Sequence, residues 1–217
     1  MSRGKGTSDV ARIKLRWNGE VESSEEQQRL KRRVILREAG RAFNERGFHN
    51  VSLDEVALEL GISKTVFYYY FRNKNDVLLS CVEIGFELAE EALRAAETQE
   101  GTGLDRIATF VRTYVEGINS ELGTCAVFSE LNSLHPDDLK KVRKRQRMFG
   151  RRVMKLVTQG IADGSVAVED VKSAAGWIIS PPLMMPRVPE FWRDRSGAQL
   201  ATWYADFARR ALMPPRG

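Results

Sequence analysis

The 217-residue sequence has very few of the side chains from which disulfide frameworks and metal sites are built. It contains two cysteines and two histidines. Cys81 and Cys125 are too few for a disulfide scaffold, and they do not form the Cys-x-x-Cys spacing of a zinc site. His49 and His135 lie in unrelated predicted turns. These absences exclude a disulfide-rich module and favour a reducing compartment.

Long apolar runs are absent as well. No run approaches the roughly 18 residues that cross a bilayer. The N-terminal sequence MSRGKGTSDVARIKLRWNGE has no apolar core of the kind that signal peptides carry. We therefore expect a cytoplasmic protein with no membrane partner.

The motifs of common enzyme classes are also missing. The sequence has no GxSxG, no GxxxxGK[ST] and no HExxH. The triplet Gly101-Thr102-Gly103 stands between predicted helices and does not follow a strand, so it does not indicate a phosphate-binding loop. We expect no enzymatic activity, no metal and no cofactor.

The basic residues are concentrated in two places. The formal net charge is +5, and residues 1–80 carry 15 Lys and Arg against 11 Asp and Glu, which leaves +4 in the first third of the chain. A second group lies within one predicted helix and comprises Lys140, Lys141, Arg143, Lys144, Arg145, Arg147, Arg151 and Arg152. Either group could meet a polyanion such as DNA, although a solvated helix face is the commoner explanation.

The N-terminal third has the pattern of three short helices. Apolar spacing predicts a first helix from Ser24 that ends at Gly47. Ser52, with Glu55 three residues later, predicts a capping box and a second helix that Gly61 ends. Ser63 is the expected N-cap of a third helix, residues 64–71. Two short helices across a glycine-containing turn are typical of a helix-turn-helix.

The third predicted helix has two different faces. At about 100° per residue, Val66, Tyr70, Phe67 and Phe71 share one side of it, and Lys64, Thr65, Tyr68 and Tyr69 share the other. We expect the two phenylalanines and the valine to fix the helix on its neighbours. The opposite face would then present a cation, a hydroxyl and two phenols to solvent.

The rest of the chain also predicts helices, so the expected fold class is all-α. Asn73 to Asp76 begins a long helix that reaches about Glu97, and Asp137 is the expected cap of the basic helix. The segment from Asp170 to Ser180 has a helical pattern, and the four prolines of ISPPLMMPRVPEFW are expected to end it. Further helices are predicted from Leu104 to Ile118 and from Gly197 to Leu212. The predicted organisation is a mobile basic tail (1–23), a helix-turn-helix DNA-binding domain (24–73) and a helical ligand-binding and dimerisation domain (74–217).

The segment from Ile35 to Cys81, ILREAGRAFNERGFHNVSLDEVALELGISKTVFYYYFRNKNDVLLSC, resembles the DNA-binding domain of TetR-family transcriptional repressors. The likeness lies in AFxERGF at the end of the first helix, SLDEVA, LGIS, FYYYF and the Asn-Lys that begins the fourth helix. It implies a homodimeric repressor that binds a palindromic double-stranded DNA operator. It further implies release from the operator when a small molecule enters the C-terminal domain.

The resemblance also implies roles for single residues. Lys64 and Thr65 stand where family members contact base edges, and Tyr68 and Tyr69 stand where aromatic side chains contact phosphates or thymine methyl groups. The remaining DNA-binding positions are those of phosphate contacts and of the N-cap: Ser52, Ser63, Val66, Tyr70 and Lys74. Val66 lacks the hydroxyl of the threonine that family members often carry there. We hypothesise that Lys64 reads a guanine edge and that Lys74 holds the backbone without reading sequence.

The effector site is less clearly indicated. Apolar and aromatic residues on central helices could line a pocket or belong to the core; they are Phe110, Tyr114, Phe128, Met148, Met154, Trp177, Met184 and Met185. The basic helix and the final Trp-bearing helices resemble, more loosely, TetR-type regulators of fatty-acid and steroid breakdown that bind acyl-CoA. In that interpretation Arg147 and Arg151 would contact CoA phosphates beside Met148. A solvated basic face is the alternative.

Three further points stay open at the level of sequence. The last two helices are expected to form a four-helix dimer interface, and their aromatic residues would suit a core equally well. The tail could reach the minor groove through Arg12, Lys14 or Arg16. An activator of the same fold, or an architectural DNA-binding protein without ligand control, is an alternative to a repressor.

Overall fold

The computed structural model describes residues 24–215, which form eight α-helices joined by turns and short 3-10 segments. The helices are α1 (Ser24–Arg46), α2 (Leu53–Glu59), α3 (Lys64–Tyr70), α4 (Lys74–Thr98), α5 (Gly103–Ile118), α6 (Pro136–Ala162), α7 (Val171–Met184) and α8 (Gly197–Leu212). No strand occurs within these residues. The predicted all-α class is confirmed, and the helices follow one another in the order that the sequence pattern predicts. The tail, residues 1–23, lies outside the described residues.

Local capping determines where the first helices begin. The Ser52 hydroxyl accepts a hydrogen bond from the Asp54 N–H (3.2 Å), and the Glu55 carboxylate accepts one from the Ser52 N–H (3.3 Å), so the predicted capping box is present. Ser63 is the N-cap of α3, as predicted. Each cap satisfies backbone N–H groups that have no partner inside the helix.

Two hydrophobic cores lie along the molecule. The first holds α1, α2 and α3 around Phe43 and Phe67, and it also takes in the start of α4 and residues Cys125, Val127 and Val142. The second lies among α4 to α8. Phe128 packs against both cores. The first core therefore contains residues from both sides of the predicted domain boundary at residue 73.

Two predictions about helix ends are wrong. Asp137 is not the N-cap of α6; His135 is, and Pro136 occupies the first helical position, where its fixed φ suits a helix and its missing N–H costs nothing. The prolines also do not end α7 at Ser180, because the helix includes Pro181 and Pro182 and reaches Met184. Both prolines lie in the last turn, and Pro182 is buried on the same side as Ile178. Burial of that side offsets the lost backbone hydrogen bonds.

Candidate DNA-binding surface and effector cavity

Helix α3 is held on the first core by its aromatic residues. Phe67 and Phe71 are 0% and 1% exposed. Their rings lie 5.9 Å apart, and both belong to the core that α1 and α2 form. At the N-terminus, the Ser63 hydroxyl accepts a hydrogen bond from the Val66 N–H (3.2 Å). The orientation of α3 is therefore determined by burial on one side and by a cap at one end.

The opposite side of α3, which we call the recognition face, is open to solvent. It consists of Lys64, Thr65, Tyr68 and Tyr69, all of which are exposed, with Tyr69 at 69%. Monomeric soluble proteins seldom place two neighbouring large aromatic side chains in water without a binding role. The predicted composition of this face therefore agrees with the geometry.

Val66 and Tyr70 lie at the border between the two faces. The expectation that Val66 helps to hold α3 on its neighbours is wrong, because its side chain is 43% exposed. Tyr70 is half-buried, packs against the first core and meets the Tyr69 ring edge-on at 5.1 Å. Burial raises the pKa of the Tyr70 phenol.

Lys64 forms an ion pair within the DNA-binding domain. Its Nζ atom lies 2.5 Å from Oδ2 of Asp54 on α2. The hydrogen bond to Asp54 and the charge of that carboxylate raise the pKa of the Lys64 amine. The pair is exposed, so a phosphate or base edge can displace Asp54 at little cost. Asp54 thus keeps the amine charged beside the recognition face.

Two positions near this face have the chemistry of phosphate contacts. The Ser52 hydroxyl oxygen accepts the capping hydrogen bond, and within the described residues its own proton is not donated. Lys74 lies in the first turn of α4, and its Nζ atom is 4.4 Å from the centre of the Phe48 ring. Burial lowers the pKa of Lys74. Both residues lie at helix N-termini, where free N–H groups attract anions.

A cavity of about 100 Å³ lies among α4, α5, α6 and α7. Its lining is mostly apolar and comprises Phe86, Ala89, Tyr114, Phe128, Gln146, Phe149, Ile179 and Leu183. A larger recess of about 360 Å³ lies between α1 and α4, but arginines and glutamates line it. The smaller cavity, with its mostly apolar lining, is the better candidate for a small-molecule site.

Only part of the predicted effector set lies at this cavity. Tyr114 and Phe128 line it, and Phe110 stacks behind Tyr114 with 5.6 Å between ring centres. The exposed members of the set lie elsewhere; they are Arg147, Met148, Arg151 and Trp177. Arg147 and Arg151 each stand two residues from Phe149, so they project from the opposite side of α6. The structure therefore does not bring these two arginines to the cavity.

Sequence reasoning missed most of the lining. Gln146 and Phe149 are three residues apart on the inner side of α6. The many basic residues around them made this spacing hard to recognise in the sequence. Ile179 and Leu183 come from α7, and Leu183 lies beyond the prolines that were expected to end this helix. A correct prediction of α7 would have placed Leu183 one turn after Ile179.

Residues 123–130, which we call the crossing segment, connect the cavity to α1. The Asn44 side chain donates a hydrogen bond to the Ala126 carbonyl (3.1 Å) in the interior. A methyl group at Gly40 would lie 2.7 Å from the Cys125 Cα atom. At the other end, a methyl group at Gly85 of α4 would lie 2.3 Å from the Phe128 ring. Two glycines therefore allow the segment to lie directly on two helices.

A cluster of exposed aromatic side chains, which we call the aromatic face, lies on α7 and α8. It consists of Trp177, Trp203 and Phe207, each about 40% exposed. The Trp203 and Phe207 rings stack with 5.3 Å between centres, and Phe207 lies 5.6 Å from Trp177. Exposed and mutually packed aromatic side chains are common at protein interfaces.

Within residues 24–215, no group of three or more His, Cys, Asp and Glu side chains is placed to hold a metal ion. None of the helices in this range combines the length and the apolar character of a membrane span.

Comparison with protein families identifies the class of protein that this arrangement represents. Residues 35–81 match the family model described as bacterial regulatory proteins, tetR family. Residues 100–212 match the model of the tetracyclin repressor-like C-terminal domain. The chain therefore belongs to the TetR family of transcriptional regulators, with an N-terminal helix-turn-helix domain and a larger helical C-terminal domain.

Solved structures of regulators share the fold over most of their length. The ketosteroid transcriptional regulator KstR2 of Mycobacterium tuberculosis is 18% identical, with a TM-score of 0.73 over 91% of this chain and 98% of that one. AibR, solved with isovaleryl coenzyme A and operator DNA, is 20% identical, with a TM-score of 0.68 over 85% and 99%. FadR from Bacillus subtilis, solved with stearoyl-CoA, is 17% identical, with a TM-score of 0.58 over 80% and 95%. At these identities the likeness concerns the fold.

Proposed function

We propose that this protein is a transcriptional repressor that binds a palindromic operator as a homodimer and leaves it when a small effector occupies the cavity. The observation that carries the proposal is the recognition face. An amine, a hydroxyl and two phenols project from a helix whose other side is buried, which suits insertion into a major groove. The phosphate contacts that position α3 are assigned to Ser52, Ser63, Tyr70 and Lys74.

The homodimer is proposed to form through the aromatic face. Trp177, Trp203 and Phe207 come from the two helices that were expected to form the interface. In a two-fold dimer, the same face of the partner would cover these rings and complete a four-helix bundle. Dimerisation would place two recognition helices roughly 34 to 36 Å apart, one turn of the DNA helix.

The crossing segment offers a route from the cavity to the DNA-binding domain. Phe128 lines the cavity, and two residues earlier the Ala126 carbonyl is held by Asn44 of α1. An effector that displaces Phe128 would move a segment that lies directly against α1. Release then requires only that the effector binds the displaced arrangement better than the operator-bound one.

Acyl-CoA thioesters are the first effectors to test. AibR and FadR, which share this fold, were solved with isovaleryl coenzyme A and stearoyl-CoA. The cavity is apolar enough for an acyl group. Arg147 and Arg151 point away from it, and we assign them to a solvated basic surface that attracts DNA.

The test measures DNA binding by fluorescence anisotropy with a fragment from upstream of the protein's own gene and a scrambled fragment. We expect specific binding that weakens steeply as salt rises, because phosphate contacts release counterions. Tyr69→Ala should weaken specific binding at least tenfold. The matched control is Phe191→Ala, which removes an equally exposed ring (73%) outside the recognition face and should change nothing.

Two outcomes would change the proposal. Equal binding to both fragments, with no release by any of a series of CoA thioesters, would favour an architectural DNA-binding protein. Equal effects of Tyr69→Ala and Phe191→Ala would contradict the recognition face. Transcription in the presence and absence of the protein distinguishes a repressor from an activator.

A further inference from the structure

The hydroxyl group of Tyr114 lacks a partner in the cavity. The residue is 1% exposed, and no hydrogen bond to its Oη atom occurs within residues 24–215. The Oη atom keeps some accessible surface, whereas Nε1 of Trp192 is fully buried and has no hydrogen-bond partner within residues 24–215. Burial raises the pKa of the phenol well above its ordinary value, so the group is a neutral donor at any physiological pH. A buried hydroxyl of this kind gains most from a ligand that accepts a hydrogen bond from it.

The cavity lacks charged groups among its lining residues. Seven of the eight lining residues are aliphatic or aromatic, and the eighth is Gln146. The guanidinium of Arg145 lies 4.5 Å from the Phe86 ring, but it is already paired with Glu83. A carboxylate inside the cavity would therefore lose its hydration without meeting a cation. The buried part of a ligand must be uncharged.

Size and hydrogen-bonding capacity restrict the ligand further. An apolar cavity of about 150 Å³ is enough for benzene, so about 100 Å³ suits a chain of only a few carbon atoms. A carbonyl oxygen has two lone pairs and no proton of its own. Tyr114 can donate to one lone pair, and the amide of Gln146 is available for the other. An alcohol would bring an additional proton into the same apolar space.

We propose that this cavity binds the short, uncharged end of a carbonyl compound, namely an ester, a thioester or a ketone, whose oxygen accepts a hydrogen bond from Tyr114, and that it rejects the corresponding free acid. The effect of such a ligand on operator binding rests on the proposed function. Binding itself does not, and it is measured without DNA.

The experiment uses three ligands of nearly identical shape. They are 4-methylpentan-2-one, isovalerate, in which a carboxylate oxygen replaces a methyl group, and 2,4-dimethylpent-1-ene, in which a methylene replaces the carbonyl oxygen. Dissociation constants are measured on the full-length protein at pH 7 by ligand-observed NMR. We expect the ketone to bind at least tenfold more tightly than either of the others. Equal or tighter binding of isovalerate, or no binding of the ketone, would overturn the proposal.

Tyr114→Phe removes only the hydroxyl. It should weaken ketone binding about tenfold and leave alkene binding unchanged. Since the hydroxyl has no protein partner, the variant should unfold at a temperature no lower than that of the parent. The control is Tyr204→Phe, which removes the hydroxyl of a half-buried tyrosine outside the cavity. An unchanged ketone affinity in a folded Tyr114→Phe protein would contradict the role of the hydroxyl.

Operator release is then scored separately with isovaleryl-CoA and with isovalerate. Selective ketone binding without release by the thioester would support the ligand class and contradict the cavity's role as an effector site. Release by isovalerate through the cavity would support the effector role and contradict the ligand class.

Discussion

The recognition face and the cavity present aromatic side chains in opposite ways. The recognition face exposes Tyr68 and Tyr69 on a single seven-residue helix. The cavity encloses its rings among four helices and the crossing segment. A substitution on the exposed face should therefore change binding without changing stability. Replacement of Phe128 at the cavity should change stability and DNA binding together, because this ring packs against both cores.

The largest expected effect is on the buried side of α3. Phe67→Ala should lower the free energy of unfolding by about 3–5 kcal/mol, because it leaves a cavity under a helix that is held by this ring. Urea unfolding measures the change, and operator binding should be lost with it. Tyr69→Ala on the other side should stay within about 0.5 kcal/mol of the parent. Similar losses in both variants would show that the two sides of α3 are not distinct.

The next effect concerns the aromatic face. Trp203→Ala should weaken the homodimer by about 2 kcal/mol or more, roughly thirtyfold in the dissociation constant, as expected for a central interfacial tryptophan. Analytical ultracentrifugation over a range of protein concentrations measures the constant. Phe191→Ala serves again as the control, and a dimer that is unaffected by Trp203→Ala would place the interface elsewhere.

Gly85→Ala tests the connection between the cavity and α1. The added methyl group would collide with the Phe128 ring, so we expect operator affinity to fall about 5- to 150-fold without any ligand, the usual range of coupling between sites. Gly150→Ala on α6 is the matched control, because a methyl group there meets nothing within 4 Å. Equal operator affinity of the two folded variants would exclude the crossing segment as the route.

The smallest expected effect is a pH dependence at the start of α5. Asp105 accepts hydrogen bonds from the Thr102 hydroxyl (2.7 Å) and from Arg209 of α8 (2.7 Å). These bonds, that of Thr102 first, lower the pKa of Asp105 from 3.8 to about 2. Since the folded-state pKa is the lower one, the carboxylate stabilises the fold above a pH of about 4, and this contribution is lost as the pH falls towards 2.

Asp105→Asn isolates that contribution. The difference in unfolding free energy between parent and variant should be constant above pH 5 and should shrink between pH 4 and pH 2. Asp206→Asn, which replaces an exposed carboxylate on α8, provides the comparison. A parent–variant difference that stays constant down to pH 2 would contradict the assignment.

Local patterns account for what could be predicted from the sequence. The caps at Ser52 and Ser63 and the buried side of α3 depend on residues within one or two turns, and they follow the predicted pattern. Burial at a border position such as Val66 depends on how far the neighbouring helices extend. A short stretch of sequence around Val66 does not contain that information. The cavity depends on contacts between distant segments, and the continuation of α7 through Pro182 depends on burial that outweighs a strong local signal.

The most direct test of the account is selection of binding sites from a random DNA duplex library by the parent, Lys64→Ala and Lys74→Ala. We predict that the parent selects a palindrome whose half-site centres lie about 10 base pairs apart. Lys64→Ala should lose the preference at one position in each half-site, by about ten- to hundredfold. Lys74→Ala should select the same palindrome with weaker binding at every site. Selection of no palindrome, or equal changes at all positions in both variants, would contradict the recognition of DNA by this face.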